Sequence, residues 1–390
     1  MPNNSHFGDK MKIAMMGHKR IPSREGGIEI VVEELSVRMA QSGNEVTAYN
    51  RKGHHIAGKS FESENAFKEY KSVRLKSVFT FENAKLNAIV YSILAALKIC
   101  FGKFDVVHIH AEGPACVTRL LKLFGKRVIV TIHGLDWQRS KWGGFATKFL
   151  LFGEKTAAKY ADEIIVLSEN VQKYFLEKYS RKTHYIPNGV EKPVIKNDSE
   201  IKNEFGISKN GYILYLGRIV PEKGIHYLIE AYKRLDTNKK LVIAGAASHT
   251  AEYANELKRL AGEDKNIIFT GFVQGELLEE LYSNAYIYCL PSDLEGMPLS
   301  LLEAMSYSNC CLTSDIPECT EVCEDKAVYF KKGNIDDLKS KLERLIDDIA
   351  VVNNLKQQAS DFICSKFDWD KITDETLRLY KGENDENFDG

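Results

Sequence analysis

Net charge is almost absent from this sequence: 53 Lys and Arg against 54 Asp and Glu leave a balance of -1 over 390 residues. A chain with no global positive excess has no general means of holding a phosphate polymer, which argues against a dedicated nucleic-acid binder. Long apolar runs are missing too. The most apolar stretch, Asn87 to Phe101, is interrupted by Ser92 and Lys98, falls short of the ~20 residues that span a bilayer, and is expected to be a core helix. Met1 to Lys12 is polar and lacks the apolar segment of a secretory signal. Eight cysteines without an export signal are expected to be reduced thiols in a cytoplasmic protein. Cys319 and Cys323 have no nearby His or second Cys pair to complete a metal site. No G-x-G-x-x-G follows any strand-like run, so the dinucleotide fingerprint of a dehydrogenase is absent.

What is present is globular. Apolar residues make up 44% and charged residues 27%, enough to bury real cores, and the length favours two sizeable domains. The even charge balance hides a split. Residues 1–190 hold 29 Lys and Arg and 18 Asp and Glu, or +11, leaving -12 for residues 191–390. A basic front half is either a solvated surface or one that faces an anionic partner such as a membrane.

Short Val/Ile-rich runs, each followed by a helical pattern, recur along the chain and predict an α/β fold with parallel sheets. In the first half they are Lys12–Met16, Glu45–Tyr49, Val106–Ile109, Val128–Ile132 and Glu163–Leu167; in the second, Tyr212–Leu216, Leu241–Ala244, Ile267–Phe269, Ile287–Leu290 and Cys311–Thr313. The polar stretch Glu191 to Glu204, with Pro193, reads as a linker. Expected boundaries are therefore 1–190, 191–365 and a terminal 366–390 whose acidic end, Glu383 to Gly390, is expected to fray.

Four segments could carry chemistry. After the first strand, a loop ending in Gly26-Gly27 feeds a helix. Such a terminus offers unpaired N–H groups to an anion, although a simple glycine turn reads equally well. Tyr212 to Leu216 leads into Gly217-Arg218, with Lys223-Gly224 five residues on. Both cations can point at one anion, a fork and a point charge suited to a diphosphate. In Glu295-Gly296-Met297-Pro298-Leu299-Ser300 through Glu303, Pro298 suits a first helical position. Its two glutamates would then lie ~12 Å apart on ideal helical geometry, too far for a retaining hydrolase pair at ~5 Å, so they fit two parts of one extended ligand. His133-Gly134 ends a strand, where open α/β sheets place ligands, with Asp136 as a charge partner or cap.

Together with Pro187-Asn188-Gly189-Val190, these segments resemble the GT-B glycosyltransferases, and within them the retaining group called family 4. The opening Gly17-His18-Lys19-Arg20-Ile21-Pro22-Ser23-Arg24-Glu25-Gly26-Gly27 resembles a subgroup that includes rhamnosyltransferases and other sugar transferases of capsule and O-antigen synthesis. Phe367 to Ile372 looks like the family's final helix, which crosses back onto the first domain. The resemblance implies two Rossmann-like domains facing each other across a cleft, and transfer of a sugar from a nucleotide diphosphate sugar to an acceptor hydroxyl with retention. It further implies that Arg218, Lys223 and the helix amides near Leu299, in the turn Met297-Pro298-Leu299-Ser300, meet the diphosphate. By the same resemblance Glu303 binds ribose, Glu295 a sugar hydroxyl, His133 the sugar from the facing domain, Gly26-Gly27 the phosphates, and Asn188 and the backbone at Gly271 the rest of the donor, with Gly271 towards the base. No metal or other cofactor is implied. The implied acceptor is a lipid-linked saccharide, and Arg119 to Arg127 is either a membrane-surface segment or an ordinary amphipathic helix end. The rival readings are a non-catalytic nucleotide-sugar binder and a phosphorylase or epimerase of the same fold.

Overall fold

The computed structural model describes residues 10–52, 68–81, 84–138, 144–247 and 251–383. The chain divides into two compact α/β units: one comprises residues 1–187 with 369–390, the other 188–368. The expected frayed end from residue 384 onward lies outside the described residues.

Among the described residues unit 1 is built on eight strands: β1 (Lys12–Met16), β2 (Glu45–Arg51), β3 (Glu69–Tyr70), β4 (Val73–Val78), β5 (Val106–His110), β6 (Arg127–Ile132), β7 (Glu163–Val166) and β8 (His184–Tyr185). They lie in the order β3-β4-β2-β1-β5-β6-β7-β8, all parallel except the β3–β4 pair. Val107, Ile109, Val130, Ile132 and Ile164 on one face and Ile13, Met15, Ile129 and Ile165 on the other are buried, as expected for a parallel sheet covered on both faces. Order reverses beside β1: the chain builds outward through β2 and β4, then returns to β5 and continues the other way. Right-handed crossovers then put helix 27–41 on one face and helices 84–100, 118–123, 144–160 and 169–179 on the other.

Unit 2 carries β9 (Tyr212–Leu216), β10 (Lys240–Ala244), β11 (Ile267–Gly271), β12 (Ile287–Leu290), β13 (Cys310–Ser314) and β14 (Val328–Phe330) in one parallel sheet of order β11-β10-β9-β12-β13-β14. Here the reversal falls between β9 and β12.

Three expectations change. Helix 84–100 is not a core helix throughout: Tyr91, Ala95 and Ile99 are buried, but Ile93 and Leu97 face outward, because helical spacing buries one stripe only. The polar linker contains a helix, Ser199–Phe205, closed by Gly206 at φ 60° and anchored by buried Ile201. Pro298 precedes helix 299–306 as its cap residue, with ψ 93°, and is not its first helical residue. All eight cysteines are free, and burial raises the Cys311, Cys319 and Cys323 thiols.

The strand ends at each reversal touch backbone to backbone. Gly17 leaves β1 with φ 108°, and a Cβ there would sit 2.1 Å from the His110 carbonyl oxygen at the end of β5. The Gly17 amide donates to Tyr91 Oη at 3.0 Å, and that hydroxyl donates to the Tyr49 carbonyl. Gly17→Ala combines a forbidden φ with a backbone clash. It should cost about 2 kcal/mol or more and lower the thermal midpoint of unit 1 by about 4–8 °C, readable by calorimetry against Gly144→Ala, where nothing lies within 4 Å of the added carbon.

Candidate functional site

Open α/β sheets bind ligands beyond the carboxyl ends of the strands where strand order reverses. In unit 2 that place is formed by the loops after β9 and β12. The β9 loop runs through Gly217-Arg218 to a tight turn at Pro221–Lys223 and then Gly224, φ 64°. A Cβ on Gly224 would fall 2.0 Å from the Pro291 carbonyl oxygen, so the two loops are pressed together there. Glu222 N–H aside, its carbonyl accepts from the Asp293 amide at 2.9 Å, and Tyr227 Oη donates to Asp293 Oδ2 at 3.2 Å.

This packing seats the expected residues. Lys223 Nζ forms an ion pair with Glu295 Oε1, and Ser292 Oγ donates to the same oxygen at 2.6 Å. Both side chains are nearly buried, 13% and 6% exposed, so the pair neutralises itself in a poorly solvated place. Spacing alone leaves both cations free for one anion. Instead Lys223 and Glu295 hold each other, and among the described residues Arg218 forms no ion pair; its carbonyl accepts from Tyr215 Oη at 2.9 Å. Helix 299–306 starts without a side-chain cap, and the Leu301 and Leu302 amides are taken by the Pro298 carbonyl. Tyr288 Oη donates to Ser300 Oγ at 2.9 Å, and Tyr282 Oη to Glu303 Oε2 at 3.0 Å, fixing that carboxylate one turn in. The Asn188 amide donates to Met297 Sδ at 3.0 Å, which brings Asn188 to this loop. Gly271 closes β11 with φ 74°, at the same end of the sheet but two strands from β9. Glu222, which the sequence reading passed over, is buried with neither carboxylate oxygen hydrogen-bonded among the described residues.

In unit 1 the reversal gathers histidines. His133 follows β6, and its Nε2 lies 3.0 Å from Nδ1 of His110, the last residue of β5. His108 stacks on His110 with ring centroids 4.0 Å apart and bonds Thr131 Oγ1 at 2.6 Å and Tyr380 Oη at 2.5 Å. His18, after β1, bonds Asn50 Oδ1 at 2.9 Å through Nε2. His18 and His110 were missed, although the alternation of His108 and His110 on one strand was a usable sign that one face of β5 is polar. Gly26 and Gly27 do open helix 27–41, but the buried Glu29 carboxylate lies over Gly26 and accepts from the Lys19 amide at 2.9 Å. A negative charge thus already occupies part of the place expected to meet phosphate. The Asp136 amide donates to Glu112 Oε2 at 3.1 Å. Burial, then repulsion by Asp136 and Glu154, pushes the Glu112 carboxyl up to about 10.

The two units, each with its strand-end loops at a reversal, define the fold class of GT-B glycosyltransferases. Residues 25–192 match Glycosyltransferase Family 4 and residues 197–362 match Glycosyl transferases group 1. The chain is therefore a glycosyltransferase of group 1 with a family 4 N-terminal portion. It is 25% identical to an uncharacterized glycosyltransferase of Methanocaldococcus jannaschii, covering 95% of this chain and 98% of that one. It is 28% identical to the UDP-Gal:alpha-D-GlcNAc-diphosphoundecaprenol alpha-1,3-galactosyltransferase of Escherichia coli, over 71% of this chain and 75% of that one. Among solved structures, sucrose-phosphate synthase of Thermosynechococcus elongatus superposes with a TM-score of 0.82 at 19% identity, over 96% of this chain and 99% of that one.

Burial holds His18 down to about 4 and His108 to about 3, from an ordinary 6.5. As pH falls from 6.5 towards 4, the unfolded chain takes up protons that these folded rings refuse, so stability is lost across that window. Glu112 works in the opposite sense: its contribution is full below its ordinary 4.5 and is lost as pH rises towards about 10. Replacing one histidine, His18→Gln, should make the acid limb of a stability-against-pH curve shallower by up to about 1.4 kcal/mol per pH unit, measured by denaturant unfolding at pH 4 to 7.

Proposed function

We propose that this protein is a retaining, metal-independent glycosyltransferase that moves a sugar from a nucleotide diphosphate sugar to an acceptor hydroxyl, the acceptor being a lipid-linked saccharide of cell-surface polysaccharide synthesis. The observation that carries the donor side is the convergence of Arg218, the Lys223–Glu295 pair and the uncapped start of helix 299–306 on the reversal of the unit 2 sheet. The name of the Escherichia coli relative, with its UDP-sugar donor and diphosphoundecaprenol acceptor, supports both ends of the reading.

In this mechanism the bond between the sugar's anomeric carbon and the diphosphate oxygen breaks, and a new bond forms from that carbon to the acceptor oxygen on the same face. The departing phosphate takes the acceptor's proton, and nucleoside diphosphate leaves. Negative charge grows on the diphosphate as the bond lengthens. Arg218 and the amides of Leu299 and Ser300 stabilise that charge more in the transition state than in the ground state. Lys223 is held by Glu295 until a ligand competes for either partner: the diphosphate for the ammonium, a sugar hydroxyl for the carboxylate. Glu303, aimed by Tyr282, takes the ribose hydroxyls. Unit 1 is the acceptor-side domain.

Two variants test the assignment. Arg218→Ala should lower kcat about 10²–10³-fold, some 2.7–4 kcal/mol of barrier, by analogy with loss of one transition-state donor. Glu295→Gln keeps the Ser292 bond but frees Lys223, and should raise KM for the sugar nucleotide more than for the bare nucleoside diphosphate as inhibitor. Near wild-type donor turnover in folded Arg218→Ala would refute the reading.

A further inference from the structure

One face of unit 1 combines exposed apolar side chains with a charge distribution of one sign. Helices 84–100, 118–123 and 144–160 lie side by side on that face of the sheet. Ile93 and Leu97 point outward from the first, at 45% and 38% exposure, and Phe101 just beyond its end is 80% exposed. Phe101 stacks edge-on with Phe124 at 5.6 Å, and Leu123 beside it is 74% exposed, which joins the first helix to the second. On the third, Phe145 and Phe152, seven residues apart and so on one stripe, are 67% and 58% exposed. Eight of the fourteen large apolar side chains exposed among the described residues sit on these three helices and their ends.

The charges decide what such a face fits. The three helices contain one carboxylate, Glu154, and it is fully buried, accepting from Trp137, Tyr174, Tyr179 and Lys178. Among the described side chains, every exposed charge on them is basic: Lys98, Arg119, Lys148, Lys155 and Lys159. The neighbouring helix 169–179, with Glu169 and Glu177, marks where this pattern ends. The segment Arg119 to Arg127 alone is a weaker candidate than the sequence suggested, because Lys122 is tied to Asp162 at 2.6 Å and Arg127 lies 3.7 Å from Glu163.

We infer that this three-helix face docks unit 1 onto the surface of an anionic lipid bilayer, with Phe101, Phe124, Phe145 and Phe152 entering the headgroup boundary and the lysines contacting lipid phosphates. Apolar side chains interspersed with cations, on helices whose one carboxylate is buried, are what interfacial binding requires, and no helix among the described residues is long and apolar enough to cross the bilayer instead. The inference extends the lipid-linked acceptor reading by naming the surface that would carry the enzyme to it.

Sedimentation of the full chain with phosphatidylglycerol/phosphatidylcholine vesicles, without donor or acceptor, tests it independently of that reading. Binding should rise with phosphatidylglycerol content and weaken in salt. It should fall at least tenfold in Phe101→Ser/Phe152→Ser and in Lys148→Glu/Lys155→Glu, while both variants keep wild-type thermal midpoints and donor turnover. Wild-type binding that ignores these substitutions, or no binding to anionic vesicles, overturns the proposal. A concentration-dependent dimer that the Phe101→Ser/Phe152→Ser change abolishes, without vesicle binding, overturns it in favour of a second copy as the occupant. Loss of transfer to a lipid-linked acceptor with vesicle binding intact would instead count against the acceptor reading alone.

Discussion

Both sheets depend on one constraint: where strand order reverses, adjacent strand ends approach so closely that there is room for backbone and nothing more. Gly17 against His110 and Gly224 against Pro291, at the two reversals, leave 2.0–2.1 Å for an added Cβ, and Gly245 against Gly217, between the neighbouring β10 and β9, leaves 1.8 Å. Two of these contacts fall at positive φ that only glycine adopts freely, and Gly245 makes a third at φ 144°. Because the loops are clamped at these points, the backbone carrying Arg218, Lys223 and His18 is set in place, and Glu295 and Asn50 then hold the Lys223 and His18 side chains.

That rigidity gives the two units different electrostatic characters. In unit 2 a buried cation and anion cancel, leaving Arg218 and a helix terminus to define the local field. Replacing such a pair outright can cost little, whereas removing one partner strands a charge in a dry place; a ligand that engages both members avoids that cost. In unit 1 burial holds His108 and His110 towards their neutral forms, so His133 has a hydrogen-bonding neighbour and not a charged one.

The strands that frame the unit 2 site, β9 and β12, and the first strand of unit 1 were legible to the residue, because each is a continuous apolar run between turn signals. The missed strands have physical reasons. In β4, Val-Arg-Leu-Lys-Ser-Val, outward positions alternate with inward ones near a sheet edge, and β3, β8 and β14 span only two or three residues. The residue types and loop positions of Arg218, Lys223, Glu295 and Glu303 could be read from spacing, but their partners could not. That Lys223 finds Glu295 across 72 positions, or that Glu29 covers Gly26, follows from how two loops fold over one another, which spacing does not encode.

Tyr380 reaches His108 from 272 positions away, and helix 369–381 packs on helix 27–41 with Arg38 bonded to Asp370 at 2.9 Å. The domain that begins the chain is thus finished by residues made after the whole of the other. On the ribosome Tyr380 and helix 369–381 are made only after the whole of unit 2, so until then the buried His108 lacks its phenol and helix 27–41 its covering helix.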